Sequence, residues 1–238
     1  MADWDTFSND YDRIFKENPL YLDTIARIVE HLDERPGMTV LDLGCGTGNV
    51  SEAVLTRFPG ARLRGVDPSE GMRKQYAKRL GAAGDVEVKI GDALGIPCDR
   101  DSFDFLVTQL ALHHVLPEDR GRCAAELARV LKPGGRLVYA DMFTDVDGEP
   151  FDPERTRDII NKMMAAALFC LDHGAYEMMQ IMLATLPRDL SNEGEYMTTE
   201  AVWREALEGA GFEVLEVETV PPVEIGMRII VADMCKSA

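Results

Sequence analysis

Val40-Leu41-Asp42-Leu43-Gly44-Cys45-Gly46-Thr47-Gly48-Asn49-Val50-Ser51 is the stretch from which the rest of the chain is read. The apolar run Met38–Leu43 is followed by glycines at alternate positions, and a helical pattern then covers Asn49–Arg57 before Pro59-Gly60 stops it. Glycine lets the chain turn sharply off a strand and lets a ligand approach the backbone, with the amides of the next helix N-terminus exposed. In an open parallel sheet this turn is where ligands bind. By itself such a turn also serves merely to pack a helix against a strand.

The flanking sequence repeats the rhythm. Arg62–Val66 reads as a second strand and Glu70–Leu80 as its helix, with Val86–Ile90 and Phe103–Thr108 as strands three and four. Arg120–Leu131 is a helix ended by Lys132-Pro133-Gly134-Gly135, and Arg136–Ala140 is strand five. Short buried strands separated by helices imply right-handed crossovers and a parallel sheet covered on both faces. Residues 1–35 read as a helical cap, in which Tyr21, Leu22, Ile25, Ile28, Val29 and Leu32 recur at helical spacing. Residues 142–197 read as a helical insertion with two methionine clusters. Thr199–Glu208 is a further helix, capped by Thr198 or Thr199. Phe212–Val220 and Met227–Ala232 are joined without a helix and should pair antiparallel. The expectation is one α/β domain over 1–238: a Rossmann-like, seven-stranded, mostly parallel sheet with an antiparallel last strand, helices on both faces and a helical lid at 142–197.

Composition narrows the chemistry. With 25 basic and 42 acidic residues the formal charge is −17, which repels a phosphate backbone at long range, so no nucleic-acid partner is expected. No basic, apolar leader opens the chain and no apolar run is long enough for a membrane span, which favours a cytoplasmic protein. The 5 cysteines form no C-x-x-C pair, and His31, His113, His114 and His173 lack the helical spacing of a metal site, so no metal is expected.

The identity of the ligand turns on two residues. Asn49 stands where a dinucleotide fingerprint has its third glycine. Asp42, before the turn, would do little for a pyrophosphate but would attract an α-ammonium group. Together they point from NAD toward S-adenosylmethionine (SAM). Asp67, at the end of strand two, suits the two ribose hydroxyls, although it could equally cap the following helix. Asp92, after strand three, could accept from an adenine amino group.

With these residues in place, the chain resembles the class I SAM-dependent methyltransferases, and most closely their small-molecule branch, which includes quinone C-methyltransferases. The resemblance covers about residues 38–141: Val40–Gly48, Gly65–Met72, Gly91–Pro97, Phe103–Val115 and the R-x-L-K-P-G-G element within Arg129–Asp141. It implies that Asp42, Gly44, Cys45 and Gly46 hold the methionine part, Asp67 the ribose, and Asp92 with Ala93 the adenine. Pro68 and Met72 would pack beside adenine and ribose, Gln109 and Leu110 would line the methyl end, and Tyr11 would reach the SAM carboxylate. S-adenosylhomocysteine would be the product.

Methyl transfer is an in-line displacement at carbon, so alignment dominates and a base is needed only for an acceptor that carries a proton. His114, and after it His113, are the candidates for that role, against a purely structural role for the pair; Asp141 is a further polar group at the cleft. Cys45 is expected simply to be small. Arg155, Arg157 and Arg188 could attract an acidic substrate, though solvated positions suit each. Gln109-Leu110-Ala111-Leu112 lacks the Asn/Asp-Pro-Pro-Tyr sequence of amino-directed nucleic-acid methyltransferases. The expected function is methyl transfer to a small organic acceptor, with a carboxy-SAM-synthase-like enzyme or a non-catalytic SAM-binding protein as alternatives. The methionine-rich insertion offers a homodimer face.

Overall fold

The computed structural model describes residues 4–235. Seven strands form one sheet in the order β3-β2-β1-β4-β5-β7-β6: β1 (Thr39–Leu43), β2 (Arg62–Asp67), β3 (Val86–Ile90), β4 (Phe103–Gln109), β5 (Leu131–Met142), β6 (Phe212–Thr219) and β7 (Met227–Met234). The first five strands are parallel, and β7 inserts antiparallel between β5 and β6. Alternation along each strand builds two cores, one on each face. Val40, Phe105, Val138 and Ile229 meet α3 (Pro19–Glu30) and α4 (Asn49–Arg57) on one side. Leu41, Leu106, Leu137 and Ile230 meet α6 (Arg120–Val130) and α9 (Glu200–Gly209) on the other. The expected sheet is the observed one.

The N-terminal segment is three helices: α1 (Trp4–Phe7), α2 (Tyr11–Phe15) and α3. Asn18 caps α3, accepting from the Leu20 amide, and Pro19 supplies a pre-set first turn. Leu22 departs from the expected apolar face and is exposed.

Two departures from expectation stand out. Strand β5 starts at Leu131, since Lys132-Pro133-Gly134-Gly135 loops out within the ladder while Phe103 pairs with Leu131 and Phe105 with Arg136. Gly134 takes φ +76°, open to glycine without strain. Helix fills only part of 142–197: α7 (Pro153–Asp172) and α8 (Tyr176–Ser191) form a hairpin broken at Gly174 (φ +78°), and residues 143–152 are irregular. Asp152 caps α7, accepting from the amides of Glu154 and Arg155. Ile90 ends the edge strand exposed. Among the described residues no helix is long and apolar enough to cross a membrane.

Candidate functional site

The glycine turn is locked to the end of β2. Gly44 (φ +68°) donates its amide hydrogen to the Val66 carbonyl at 2.8 Å, and a Cβ there would lie 2.5 Å from that of Ala111. Gly46 donates to Asp67 Oδ2 at 2.9 Å, and Ser69 donates to Asp67 Oδ1 at 2.8 Å. The carboxylate is thus oriented by main-chain donors at the mouth of a cavity, and burial raises its pKa.

That cavity measures about 510 Å3 and opens at the carboxyl ends of β1 to β4, the expected place in an open parallel sheet. Of the residues read from the sequence, its wall contains Gly44 and Gly46 after β1, Asp67 at the end of β2 with Pro68 and Met72 beyond it, and Asp92 and Ala93 after β3. Gln109 ends β4, Leu110 and His114 follow it, and Tyr11 comes from α2. Asp92 Oδ1 accepts from the Leu94 amide at 2.8 Å, shaping the turn after β3. Leu110 has φ +52°, a conformation that costs a non-glycine residue about 1–3 kcal/mol, and it is held by its amide donating to Ala140 O at 2.9 Å. Gln109 is buried, and its Oε1 has no hydrogen-bond partner.

Three of the expected residues stand behind this wall. Asp42 is buried and accepts from Ser51 Oγ at 2.7 Å and from the Ser51 amide at 3.2 Å; burial, with Asp67 nearby, pushes its pKa up to about 7. Cys45 packs with Tyr76 and Leu80 and lies where a side chain on Gly65 would clash, so its small size is what the packing uses. Burial raises its thiol well above the usual range. His113 is turned away, its Nδ1 2.7 Å from Asp141 Oδ1, and its backbone amide donates to Asp141 Oδ2 at 3.2 Å. Burial works against its protonation, but the Asp141 carboxylate outweighs that and raises its pKa to about 9. Burial and the neighbouring His113 instead push His114 down to about 4. Asp141 is 1% exposed, so it orients His113 from beneath the cleft.

The N-terminal helices reach the site through a polar knot. Thr47 Oγ1 and Asn49 Nδ2 both donate to Asp12 Oδ1, and Arg79 Nη1 lies 3.1 Å from Asp12 Oδ2. The knot brings Trp4 and Tyr11 to the cavity wall, and Tyr11 stacks on Phe15 at 4.0 Å. Burial raises the Tyr11 phenol well above its usual range.

Sequence reading missed the segment after α8. Gly194 and Tyr196 line the cavity, and Glu195 lies between them against both histidines. Their place is set by the Tyr196 amide donating to His113 O at 2.7 Å and by Arg120 Nη2 donating to Tyr196 O at 2.9 Å. No spacing signal connects residue 113 to residue 195. Arg155 is buried rather than solvated, donating to Asn192 Oδ1 at 2.6 Å, and Arg188 faces Glu195 at 3.0 Å. The insertion methionines divide: Met163 and Met178 are buried and Met164 is exposed.

A parallel sheet with an antiparallel seventh strand, and a ligand cavity at its switch point, define a Rossmann-like SAM-dependent methyltransferase fold. Residues 40–135 match the model of a methyltransferase domain. The chain is 31% identical over 142 residues to an uncharacterized methyltransferase of Geobacillus kaustophilus, covering 58% of this chain and 64% of that one. It is 36% identical over 145 residues to the demethylmenaquinone methyltransferase of Clavibacter sepedonicus, covering 60% and 58%. The chain therefore spans about three fifths of the length of these curated relatives. Among solved structures, geranyl diphosphate methyltransferase in complex with SAM superposes with a TM-score of 0.63 at 18% identity, over 89% of this chain and 84% of that one, a likeness of fold. Over residues 40–135 the chain is thus similar to a methyltransferase domain, and its sheet has the fold seen in SAM-dependent methyltransferases.

Proposed function

We propose that this protein transfers a methyl group from SAM to a small organic acceptor, with the cofactor in the 510 Å3 cavity. One observation carries the reading: the ends of four adjacent strands converge on that cavity, with Gly44, Gly46, Asp67, Asp92 and Gln109 in its wall. Asp67 suits the ribose hydroxyls, Asp92 with Ala93 the adenine, and Pro68 and Met72 the apolar faces between them. Gly44, Gly46, Gln109, Leu110 and Tyr11 surround the methionine end, which Asp42 influences only as a charge behind the turn. When bound, SAM supplies a methyl group on a sulfonium, an electrophile that leaves as a neutral thioether. The chain's own residues orient the acceptor and exclude water. Trp4 and Tyr11 from the N-terminal cap, and Gly194 and Tyr196 beyond the helical hairpin, close the wall around it. His114 lines the cavity and, held unprotonated by its surroundings, offers a hydrogen-bond acceptor to an acceptor hydroxyl or amine.

The relatives named for demethylmenaquinone and for sterol 24-C methylation support a small organic acceptor. The −17 charge argues against a nucleic acid, and the free cysteines suit the reducing cytoplasm. The carboxy-SAM-synthase-like and non-catalytic alternatives gain no support from these relatives. A homodimer through the hairpin is favoured by one feature: Ile160, Met164, Leu168 and Leu171 form an exposed apolar stripe at helical spacing on α7. Incubating the purified protein with methyl-labelled SAM and cell extract tests the activity. Label in an extractable small molecule supports it; SAM binding without label transfer, or label only in nucleic acid, overturns it.

A further inference from the structure

His113 and His114 follow each other in the 3-10 turn after β4, yet their rings have different partners. His114 Nδ1 donates to the Gly194 carbonyl oxygen at 2.8 Å. His113 stands between two buried carboxylates from different parts of the chain. Its Nδ1 lies 2.7 Å from Asp141 Oδ1 at the end of β5, and its Nε2 lies 3.3 Å from Oε2 of Glu195, in the segment after α8. Asp141 also accepts from the Met142 amide on Oδ1 at 2.9 Å and from the His113 amide on Oδ2 at 3.2 Å. A carboxylate so placed only accepts, so His113 Nδ1 carries a hydrogen. An imidazole with that one hydrogen would turn the lone pair of Nε2 toward Glu195. Only the imidazolium presents a hydrogen to each carboxylate.

The same turn holds part of the cavity wall. The Tyr196 amide donates to His113 O at 2.7 Å, and Gly194 accepts from His114, so both flanks of Glu195 are bonded to the turn. Gly194 and Tyr196 line the cavity. Two cationic groups face Glu195: Arg188 Nη2 at 3.0 Å from Oε1, and His113 on Oε2. Arg188 belongs to α8, on the segment's own side. The charge that joins Glu195 to the sheet is therefore on His113.

We infer that His113 is a positioning residue: as an imidazolium it ties Glu195 to Asp141 at the end of β5 and so holds Gly194 and Tyr196 in the cavity wall. It takes no proton from an acceptor. The charged and titratable groups around it are Asp141 from β5, Glu195 from the segment after α8, Asp189 from α8 and His114 within the turn. Burial disfavours the charged ring, but Asp141, then Glu195 and Asp189, outweigh it and keep the ring charged up to a pH of about 9. The tie is thus in place at neutral pH and is lost as pH rises through about 9. It goes beyond the methyl-transfer reading and does not depend on it.

Ring-nitrogen NMR of the 15N-histidine-labelled full chain at neutral pH tests the charge, with His113→Asn assigning the signals. His113 should show both ring nitrogens protonated and His114 only Nδ1; an uncharged His113 ring overturns the inference. Calorimetric affinity for S-adenosylhomocysteine, followed as pH rises, tests the tie. In the wild-type chain it should weaken several-fold as pH passes about 9. In Glu195→Gln, which lacks one of the two carboxylates, the same fall should come about one pH unit lower or more. A fall at the same pH in both chains overturns the tie, since a merely structural Glu195 would not move it. If Glu195→Gln does not fold, the ring spectra of the wild-type chain decide. Failure of S-adenosylhomocysteine to bind at all overturns the cofactor reading alone. The pH comparison is then made on the protection of the Tyr196 amide against hydrogen exchange, with the same two outcomes.

Discussion

Asn49 Nδ2 donates to Asp12 Oδ1 at 3.0 Å, so the residue in the third-glycine position pins the N-terminal helices onto the glycine turn. The same amide donates to the Tyr21 hydroxyl at 3.1 Å, and its oxygen accepts from Arg79 Nη1 at 2.6 Å. Glycine has no side chain for any of this. Replacing Asn49 with Ala leaves buried polar groups short of partners, at a cost of about 1–3 kcal/mol. Amide hydrogen exchange in residues 4–16 should quicken, and SAM affinity should fall several-fold, because Trp4 and Tyr11 line the cavity. Unchanged exchange would show that the knot does not hold the segment.

Asp67→Asn tests the cofactor end. Each carboxylate oxygen accepts from a different main-chain amide, Gly46 and Ser69, so an amide side chain must turn its NH2 toward one of these donors. One hydrogen bond is lost at a cost of about 1–3 kcal/mol, and SAM affinity measured by calorimetry should drop about tenfold or more.

Gly44→Ala should destabilise the fold by about 2 kcal/mol or more, since φ is +68° and the new Cβ would meet that of Ala111 at 2.5 Å. Gly60→Ala is the control: a Cβ there meets nothing within 4 Å, and its denaturation midpoint should stay near wild type. Equal losses in the two variants would refute the packing argument.

Asp42 predicts a pH dependence. An aspartate titrates near 3.8 in the unfolded chain, whereas burial raises the folded value to about 7. The folded state therefore holds this proton more tightly, and its contribution to stability falls as pH rises from about 4 to about 7. Asp42→Asn keeps an oxygen for Ser51 and lacks the titration. In urea denaturation the variant should be the more stable chain at pH 8, on the order of 2–4 kcal/mol, with the gap closing toward pH 5. A constant gap would mean that Asp42 is not the group titrating.

The exposed stripe on α7 predicts an oligomer. Light scattering should give the mass of two chains, and Leu168→Glu should shift it to one, with circular dichroism unchanged. A monomeric wild type would assign the stripe another role.

Much of this site is local and therefore legible. Glycines at alternate positions, Asp67 at a strand end and Asp92 after the next strand each owe their place to a turn a few residues long, and turn chemistry is written in adjacent residues. Asp42 shows where that logic stops. Its position before the turn was readable, but its direction depends on Ser51, one helical turn into α4, which draws the carboxylate behind the wall. The boundaries of β5 were misplaced for a related reason. Lys132-Pro133-Gly134-Gly135 reads as a helix stop, and only pairing with Phe103 extends the strand back to Leu131.

Period and turn residues act over short range, so the alternating sheet and helices, the glycine turn, the order of the strand ends and thereby the cofactor can be read from adjacent residues. What surrounds the cavity is set by contacts between distant segments. Asp12 meets Asn49, and Glu195 meets His113 and His114, through contacts between segments that no local pattern relates. Burial then sets the character of these groups, holding Asp42 near neutrality and splitting the two histidines to about 9 and about 4. Charge and desolvation depend on neighbours in space, and those exist only once the chain has folded.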